Sequence, residues 1–292
     1  MKKVKKAVIP VAGLGSRFLP ATKAIPKEMI PIIDRPMIQP IVEEAVASGI
    51  ETVVLVTARH KEAIENHFDH NFELEVTLEN RNKGELAQLS KHSASLCEII
   101  SVRQKQPLGL GHAILCAKSV VGDEPFAVLL GDDLIEATVP CTQQLMEVYQ
   151  KNEKPVVGVM EVPTEETYKY GIVSGKQKED RLIEVDSLVE KPSVEHAPSN
   201  WAIPGRYILT PEIFQWIEQT SPGRGGEIQL TDALGRLAKD KGLLAYCFEG
   251  KRFDTGDRLG YLEATLHFAM AREDLREPLL KLMKQIIDQS GK

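Results

Sequence analysis

Residues 6–17 read KAVIPVAGLGSR. A short apolar run, Lys6–Ala12, leads straight into two glycines and then a cation. Such a run is a buried strand, and glycines at its end let backbone N–H groups approach and cradle an anion. The spacing excludes two common phosphate loops. A dinucleotide fingerprint needs a third glycine where Phe18 stands, and no acidic residue closes the next strand, which ends Thr57-Ala58-Arg59. A Walker A loop needs Gly-Lys-Ser/Thr, and that triplet is missing here. The chain beyond the glycines is basic instead: Arg17, Lys23 and Lys27 lie within eleven residues. The loop alone is equally a tight structural turn, and the cations favour a phosphate clamp.

Outward from this loop, helix-like and strand-like segments alternate. Met37–Ser48 has helical apolar spacing and stops at Gly49, and Thr52–Thr57 is a β-branched buried strand. His60–Phe68 suits a helix, Ile99–Arg103 a strand, His112–Val121 a helix, Phe126–Leu130 a strand and Thr142–Gln150 a helix. This alternation predicts βαβ units and a mixed, mainly parallel α/β sheet with helices on both faces. Pro10 sits awkwardly in the first strand. Asp69–Glu98 breaks the rhythm and reads as an inserted helical excursion. From about residue 155 the pattern turns β-rich, with strands expected over Val156–Val162, Gly171–Ser174, Leu182–Val189 and Leu243–Phe248. Helices are expected over Pro211–Gln219, Leu230–Lys241, Leu259–Ala271 and Pro278–Asp288. The expectation is a single domain over residues 1–292: an alternating α/β half (1–150), a β-rich half (151–258) and C-terminal helices (259–292).

Composition excludes several classes. Of 292 residues 42% are hydrophobic and 27% charged, and 36 Lys+Arg against 42 Asp+Glu give a net charge of -6. These values suit a globular protein and speak against a nucleic-acid surface. The longest stretch without Lys, Arg, Asp or Glu is Gln106–Ala117, too short for a membrane span. Cys97, Cys116, Cys141 and Cys247 are scattered without a C-x-x-C, so neither a disulfide framework nor a zinc site is expected, and a reduced cytoplasm is.

Four further segments hold chemistry-bearing residues. Leu129-Leu130-Gly131-Asp132-Asp133 puts carboxylates at the end of a buried strand, where α/β sheets bind ligands, although it could equally be a solvated turn. Val189-Glu190-Lys191-Pro192 is a charged pair at a strand end, or an exposed β edge. In Arg252-Phe253-Asp254-Thr255-Gly256-Asp257 an acid beside a turn is a second metal ligand or a helix cap before Leu259. Gln104–His112 carries amides that could read a base edge and glycines that permit flat approach to a ring. His67 and His70 lack the partners of a zinc site, His112 reads as structural, and Trp201 and Trp216 as packing residues.

Taken together, these segments resemble the sugar-nucleotide pyrophosphorylase family of nucleotidyltransferases. The carriers are AVIPVAGLGSRFLPATKAIPKEMIPIIDRPMIQ (Ala7–Gln39), QPLGLGHAI (Gln106–Ile114), LLGDD (Leu129–Asp133), YGIV (Tyr170–Val173), VEKP (Val189–Pro192), PGRYIL (Pro204–Leu209), GEIQLTDA (Gly226–Ala233) and RFDTGD (Arg252–Asp257). Ser16 stands where the family usually has Thr, which keeps the hydroxyl. The resemblance implies a Rossmann-like sheet with a sugar-binding second half, and transfer of UMP from UTP to glucose 1-phosphate. It implies a base and nucleotide site at Ala12, Gly13, Gly15, Gln106 and Gly111, with Arg17 and Lys27 on the triphosphate. Asp132 and Asp254 would bind Mg²⁺, and Lys191 would neutralise the sugar phosphate. Gly171, Glu190, Gly205 and Glu227 would line the sugar pocket. It also implies a homodimer or homotetramer, with Asp69–Glu98 and Pro278–Asp288 as candidate contacts. A thymidylyltransferase, another sugar-phosphate specificity or a non-catalytic regulatory paralogue are the alternatives.

Overall fold

The computed structural model describes residues 2–290. Strands β1 (Lys6–Pro10), β2 (Pro31–Ile32), β3 (Arg35–Pro36), β4 (Thr52–Thr57), β5 (Glu98–Arg103), β6 (Phe126–Leu129) and β7 (Asp133–Glu136) come from the first half. The second half supplies β8 (Val156–Glu161), β9 (Gly171–Glu179), β10 (Leu182–Glu190), β11 (Trp201–Ile203), β12 (Arg206–Leu209), β13 (Leu244–Cys247) and β14 (Lys251–Asp254). Ten strands form one sheet in the order β11-β9-β10-β13-β8-β12-β6-β1-β4-β5. The first-half strands β6, β1, β4 and β5 pair in parallel. Strand β12 enters antiparallel between β6 and β8, and β9, β10 and β11 are antiparallel to their neighbours, so the sheet as a whole is mixed.

Helices cover both faces: α1 (Ile38–Ala47), α2 (Glu62–Phe68), α3 (Phe72–Asn80), α4 (Gly84–Ala94), α5 (Leu110–Cys116), α6 (Lys118–Val121), α7 (Cys141–Asn152), α8 (Glu212–Glu218) and α9 (Leu230–Lys241). Helices α10 (Arg258–Ala271) and α11 (Glu273–Ser290) close the chain. Strand β1 shows why its run is continuously apolar. Ala7 and Ile9 pack into the core beneath α1 and α7, while Val8 packs into the opposite core with α5, α8 and α9. A central parallel strand is buried on both faces and cannot alternate with polar residues. Pro10 is tolerated because β6 pairs only with Lys6–Val8, and the next bond, Val11 N–H to the Val56 carbonyl (2.9 Å), runs to the other neighbour.

The excursion over 69–98 is the helical pair α3–α4, as its composition implies, and it leaves Phe72, Val76 and Leu89 exposed. The expected helix over His112–Val121 starts earlier, at Leu110, and divides at Ala117, whose N–H turns back to Ile114. The last helix starts at Glu273, five residues before the expected Pro278; Pro278 therefore lies inside it and costs one rung of the backbone ladder. Strands β2, β3, β7, β11, β12 and β14 were not expected from the sequence.

Candidate active site

Parallel pairing of β1 with β6 places the ends of these strands side by side, so the loops beyond them meet. From β1 comes the glycine loop. Gly15 adopts φ 67°, which favours glycine, and packs on the Lys27 stem, where a Cβ would come within 3.0 Å. Gly13 also borders Lys27, and Ala12 is half-buried at the loop entrance. From β6 comes Gly131-Asp132-Asp133. Lys27 Nζ reaches Asp132 Oδ2 at 2.6 Å, joining the two loops.

The other acid arrives by a short ribbon. Strands β7 and β14 pair antiparallel, with Asp254 opposite Asp133. Thr255 continues the ladder, donating its N–H (2.9 Å) and hydroxyl (2.8 Å) to the Asp132 carbonyl. The result is convergence of two carboxylates from sequence positions 122 residues apart. A Cβ placed on Gly256 would lie 2.7 Å from Asp132 Oδ2, 3.1 Å from Asp254 Oδ1 and 3.3 Å from Arg17 Nη1. Arg17 itself donates to the Gly256 carbonyl at 2.9 Å. The turn also resolves an ambiguity of the sequence. Asp257 caps α10, accepting the N–H of Leu259 at 2.9 Å at the cavity rim, and Asp254 lies beside Asp132.

That cavity has a volume of 840 Å³, within the range of small-molecule sites. Arg17, Asp132, Gly171, Glu190, Lys191 and Asp254 all line it. Gly171 faces Glu190 across the β9–β10 pair. Thr231 Oγ1, in the first turn of α9, donates to Glu190 Oε2 at 2.5 Å and orients that carboxylate. Lys191 takes φ 45°, an uncommon left-handed conformation for a side-chain-bearing residue, and its N–H bonds the Tyr170 carbonyl at 2.9 Å. Gly205 lies against Leu130 and Asp133 at the β12 entrance.

The Gln104–His112 loop borders this site. Gln104 is buried and spends its amide on the Gly109 carbonyl (3.1 Å) and His112 Nδ1 (3.0 Å), whereas Gln106 is exposed. Gly111 donates its N–H to the Ile228 carbonyl at 2.9 Å. Ile228 N–H returns to the Leu108 carbonyl at 2.7 Å, so this loop is latched to the segment carrying Glu227. A Cβ at Gly111 would meet the Ile228 carbonyl oxygen at 2.8 Å, so the close approach requires glycine.

Charge in the cavity is finely set. Burial opposes ionisation of Asp132, but Lys27, Arg17 and Arg252 outweigh it and hold the carboxyl below the usual range. Burial pushes Asp133 up to about 7, helped by the neighbouring carboxylates of Asp132 and Asp254 and opposed by Arg252. Arg252 Nε contacts Asp133 Oδ1 at 2.5 Å, and its Nη1 bonds the Tyr170 hydroxyl at 2.9 Å. At Arg252 burial works against the charge, but the attraction of the acids prevails and its pKa rises. Residue pattern assigned no role to Arg252, Asp133, Tyr170 or Thr231, although all four lie in segments that carry the family resemblance. Arg206 and Glu44 were missed as well. The available signal was an arginine in the otherwise apolar strand Arg206–Leu209, because a buried cation demands an acid partner.

Among the described residues no cluster of three or more His, Cys, Asp or Glu is arranged around a metal position. The Asp132–Asp254 pair is the acidic convergence in this cavity, and two hard carboxylates are a donor set suited to Mg²⁺, which takes its other ligands from phosphates and water. Asp132 Oδ2 and Asp254 Oδ1 both lie within 3.1 Å of one point beside Gly256, so the two oxygens are close enough together to fit such an ion.

Comparison with known proteins agrees with this geometry. A family model described as nucleotidyl transferase matches residues 6–270. The chain is 52% identical over 288 residues to a UTP–glucose-1-phosphate uridylyltransferase of Bacillus subtilis (strain 168), covering 99% of each. A UDP-glucose pyrophosphorylase from Acinetobacter baumannii is structurally similar, with a TM-score of 0.89, 44% identity, and coverage of 97% of this chain and 99% of that one. A UDP-glucose pyrophosphorylase complexed with UDP-glucose matches with a TM-score of 0.85 and 45% identity, covering 92% of this chain and 100% of its own. With a family model over residues 6–270 and a near-complete match to these relatives, the chain belongs to the nucleotidyl transferase family.

Proposed function

We propose that this chain transfers UMP from UTP to α-D-glucose 1-phosphate, releasing UDP-glucose and pyrophosphate. The observation that carries the reading is the meeting of Asp132 and Asp254 beside Arg17, in one cavity with Glu190 and Lys191. Two polyanions must come together there. At ~4 Å like charges repel by about 4 kcal/mol per pair at an effective dielectric of 20. Acids also outnumber cations on the cavity wall, so phosphates need added positive charge to enter.

Asp132 and Asp254 would hold Mg²⁺, which when bound offsets phosphate charge and favours departure of pyrophosphate. Arg17 and Lys27 hold the triphosphate; an ammonium has three N–H donors, and the Asp132 contact occupies one. Ala12, Gly13 and Gly15 present backbone to the uracil and phosphates, and Gln106 approaches the base from the adjoining loop. Gly111 keeps that loop docked. Lys191 neutralises the sugar phosphate, and Glu190 and Glu227 accept sugar hydroxyls beside Gly171 and Gly205. The sugar phosphate is already ionised near neutral pH, so its oxygen attacks the α-phosphorus with no general base. A new phosphoanhydride forms as the bond to pyrophosphate breaks. Catalysis is positioning and charge stabilisation.

Residues 1–150 handle the nucleotide and 151–258 the sugar in this reading. Copies associate as a homodimer or homotetramer through the α3–α4 excursion and α11, which expose Phe72, Leu89, Leu282 and Ile286. No described helix is long and apolar enough to cross a membrane, and we place the enzyme in the cytoplasm. The test is pyrophosphate release from UTP and glucose 1-phosphate with and without Mg²⁺, with dTTP as competitor. Metal-dependent release that prefers UTP is expected. Metal-independent release, or a preference for dTTP, would overturn the assignment.

A further inference from the structure

Arg206 is the bulkiest of the wholly enclosed side chains, with 0% exposure in a strand that is otherwise apolar. One edge of its guanidinium grips Glu44 of α1, with Nε at 3.1 Å from both carboxylate oxygens and Nη2 at 2.7 Å from Oε2. Glu44 is fixed in turn by the Thr142 N–H (3.1 Å) and hydroxyl (2.7 Å). The rest of the guanidinium turns to the acid loop. Nη2 donates to the Asp133 carbonyl at 2.7 Å, and Nη1 lies 3.5 Å from the Leu130 carbonyl. These two carbonyls bracket Gly131 and Asp132. Of the two carbonyls between them, that of Asp132 is taken by Thr255.

The loop contributes little to its own shape. Its internal bond, Asp133 N–H to the Leu130 carbonyl, is long at 3.5 Å. Its position is imposed from outside: on the backbone by β12 and the turn after β14, and on the side chains by Lys27 at Asp132 and Arg252 at Asp133. A buried ion pair is by itself weak evidence of a stabilising role, because apolar residues of similar volume often replace one with little loss or even a gain. We propose that Arg206 is a positioning residue. Buttressed by Glu44, it sets Asp132 at the distance from Asp254 that a shared divalent cation requires. The inference rests on the reading that Asp132 and Asp254 hold that cation.

The experiment uses the full chain and four variants. Arg206→Lys keeps a cation for Glu44, but a single nitrogen cannot serve the carboxylate and both carbonyls at once. Glu44→Gln with Arg206→Met removes both charges together. Thr255→Val deletes one neutral donor to the Asp132 carbonyl, and Asp132→Asn removes a proposed ligand. Folding is read by thermal midpoint, metal-free UTP affinity by calorimetry, and Mn²⁺ affinity in the presence of UTP by electron paramagnetic resonance; kcat is measured alongside. In both Arg206 variants, Mn²⁺ affinity and kcat are expected to fall at least tenfold, with metal-free UTP affinity within twofold. Thr255→Val is expected to show the same selective loss, about threefold, and decides the matter if neither Arg206 variant folds. Unchanged Mn²⁺ affinity in a folded variant would overturn the positioning role. So would a parallel loss of UTP and Mn²⁺ binding, which marks general loosening. If Asp132→Asn keeps normal Mn²⁺ affinity, the metal assignment itself fails; if only Asp132→Asn loses it, the positioning role alone fails.

Discussion

Replacing Gly256 with Ala probes the acid pair without touching a charged residue. The added methyl would lie 2.7 Å from Asp132 Oδ2, whereas ordinary contact begins at 3.4 Å, so that oxygen must retreat by about 0.7 Å. It cannot swing freely, because Lys27 holds the same atom at 2.6 Å. Asp254 Oδ1, at 3.1 Å, is crowded from the other side. A displacement approaching 1 Å in a catalytic constellation costs about 100-fold in rate, or roughly 2.7 kcal/mol. We expect kcat for pyrophosphate release to fall by that order and the Mg²⁺ needed for half-maximal rate to rise. The control is Gly235→Ala, in α9, where nothing lies within 4 Å. That change should leave the rate alone and stabilise the helix by roughly 0.5–1 kcal/mol. Should Gly256→Ala keep more than a third of the normal rate at limiting Mg²⁺, the convergence of acids would have no catalytic meaning.

Thr231→Val removes a hydrogen bond to the Glu190 carboxylate, a contact worth about 1.5–3 kcal/mol; steady-state kinetics should show KM for glucose 1-phosphate raised about tenfold and KM for UTP within twofold. Lys61→Met strands the fully buried Glu28, whose Oε2 Lys61 contacts at 2.7 Å, and chemical denaturation should report a loss of about 3–5 kcal/mol. Adding Glu28→Gln should recover most of that loss. Asp133 titrates near 7 in the folded chain, against about 3.9 when unfolded. Between these values the folded state holds the extra proton, so its contribution to stability is present at low pH and is lost as pH rises to about 7. Unfolding free energies from pH 5 to 8 should therefore decline by up to about 1.4 kcal/mol per unit more steeply in the parent than in Asp133→Asn.

Short-range order was legible in the sequence because its causes are local. Thr52–Thr57 is a strand over the residues expected, and Leu230–Lys241 is a helix over the residues expected. Each carries a run or a period long enough to report its own burial. The six missed strands have only two to four residues apiece, too few to show a period, and four of them, β7, β11, β12 and β14, pair beyond their own neighbourhood. Their pairing partners lie far along the chain: Asp133 meets Asp254, and Arg206 meets Leu129. Gln104 and Gln106 look interchangeable as residues, yet one is buried in loop bonds and the other is exposed.

By itself, the order of residues determined a layered α/β protein, a glycine loop followed by cations, and carboxylates at strand ends. Those features arise from hydrophobic period and turn chemistry, which act within a few residues. The family resemblance named Asp132 and Asp254 as partners, but no local pattern pairs them, and only the tertiary structure supplies the contacts that bring them together. Register in the ribbon of β7 and β14 brings Asp254 to Asp132, leaves Asp257 to cap a helix, and lets a buried arginine from β12 hold the loop in place. Such choices depend on closing chain segments of 70 residues or more, and nothing in a local pattern records where those closures fall.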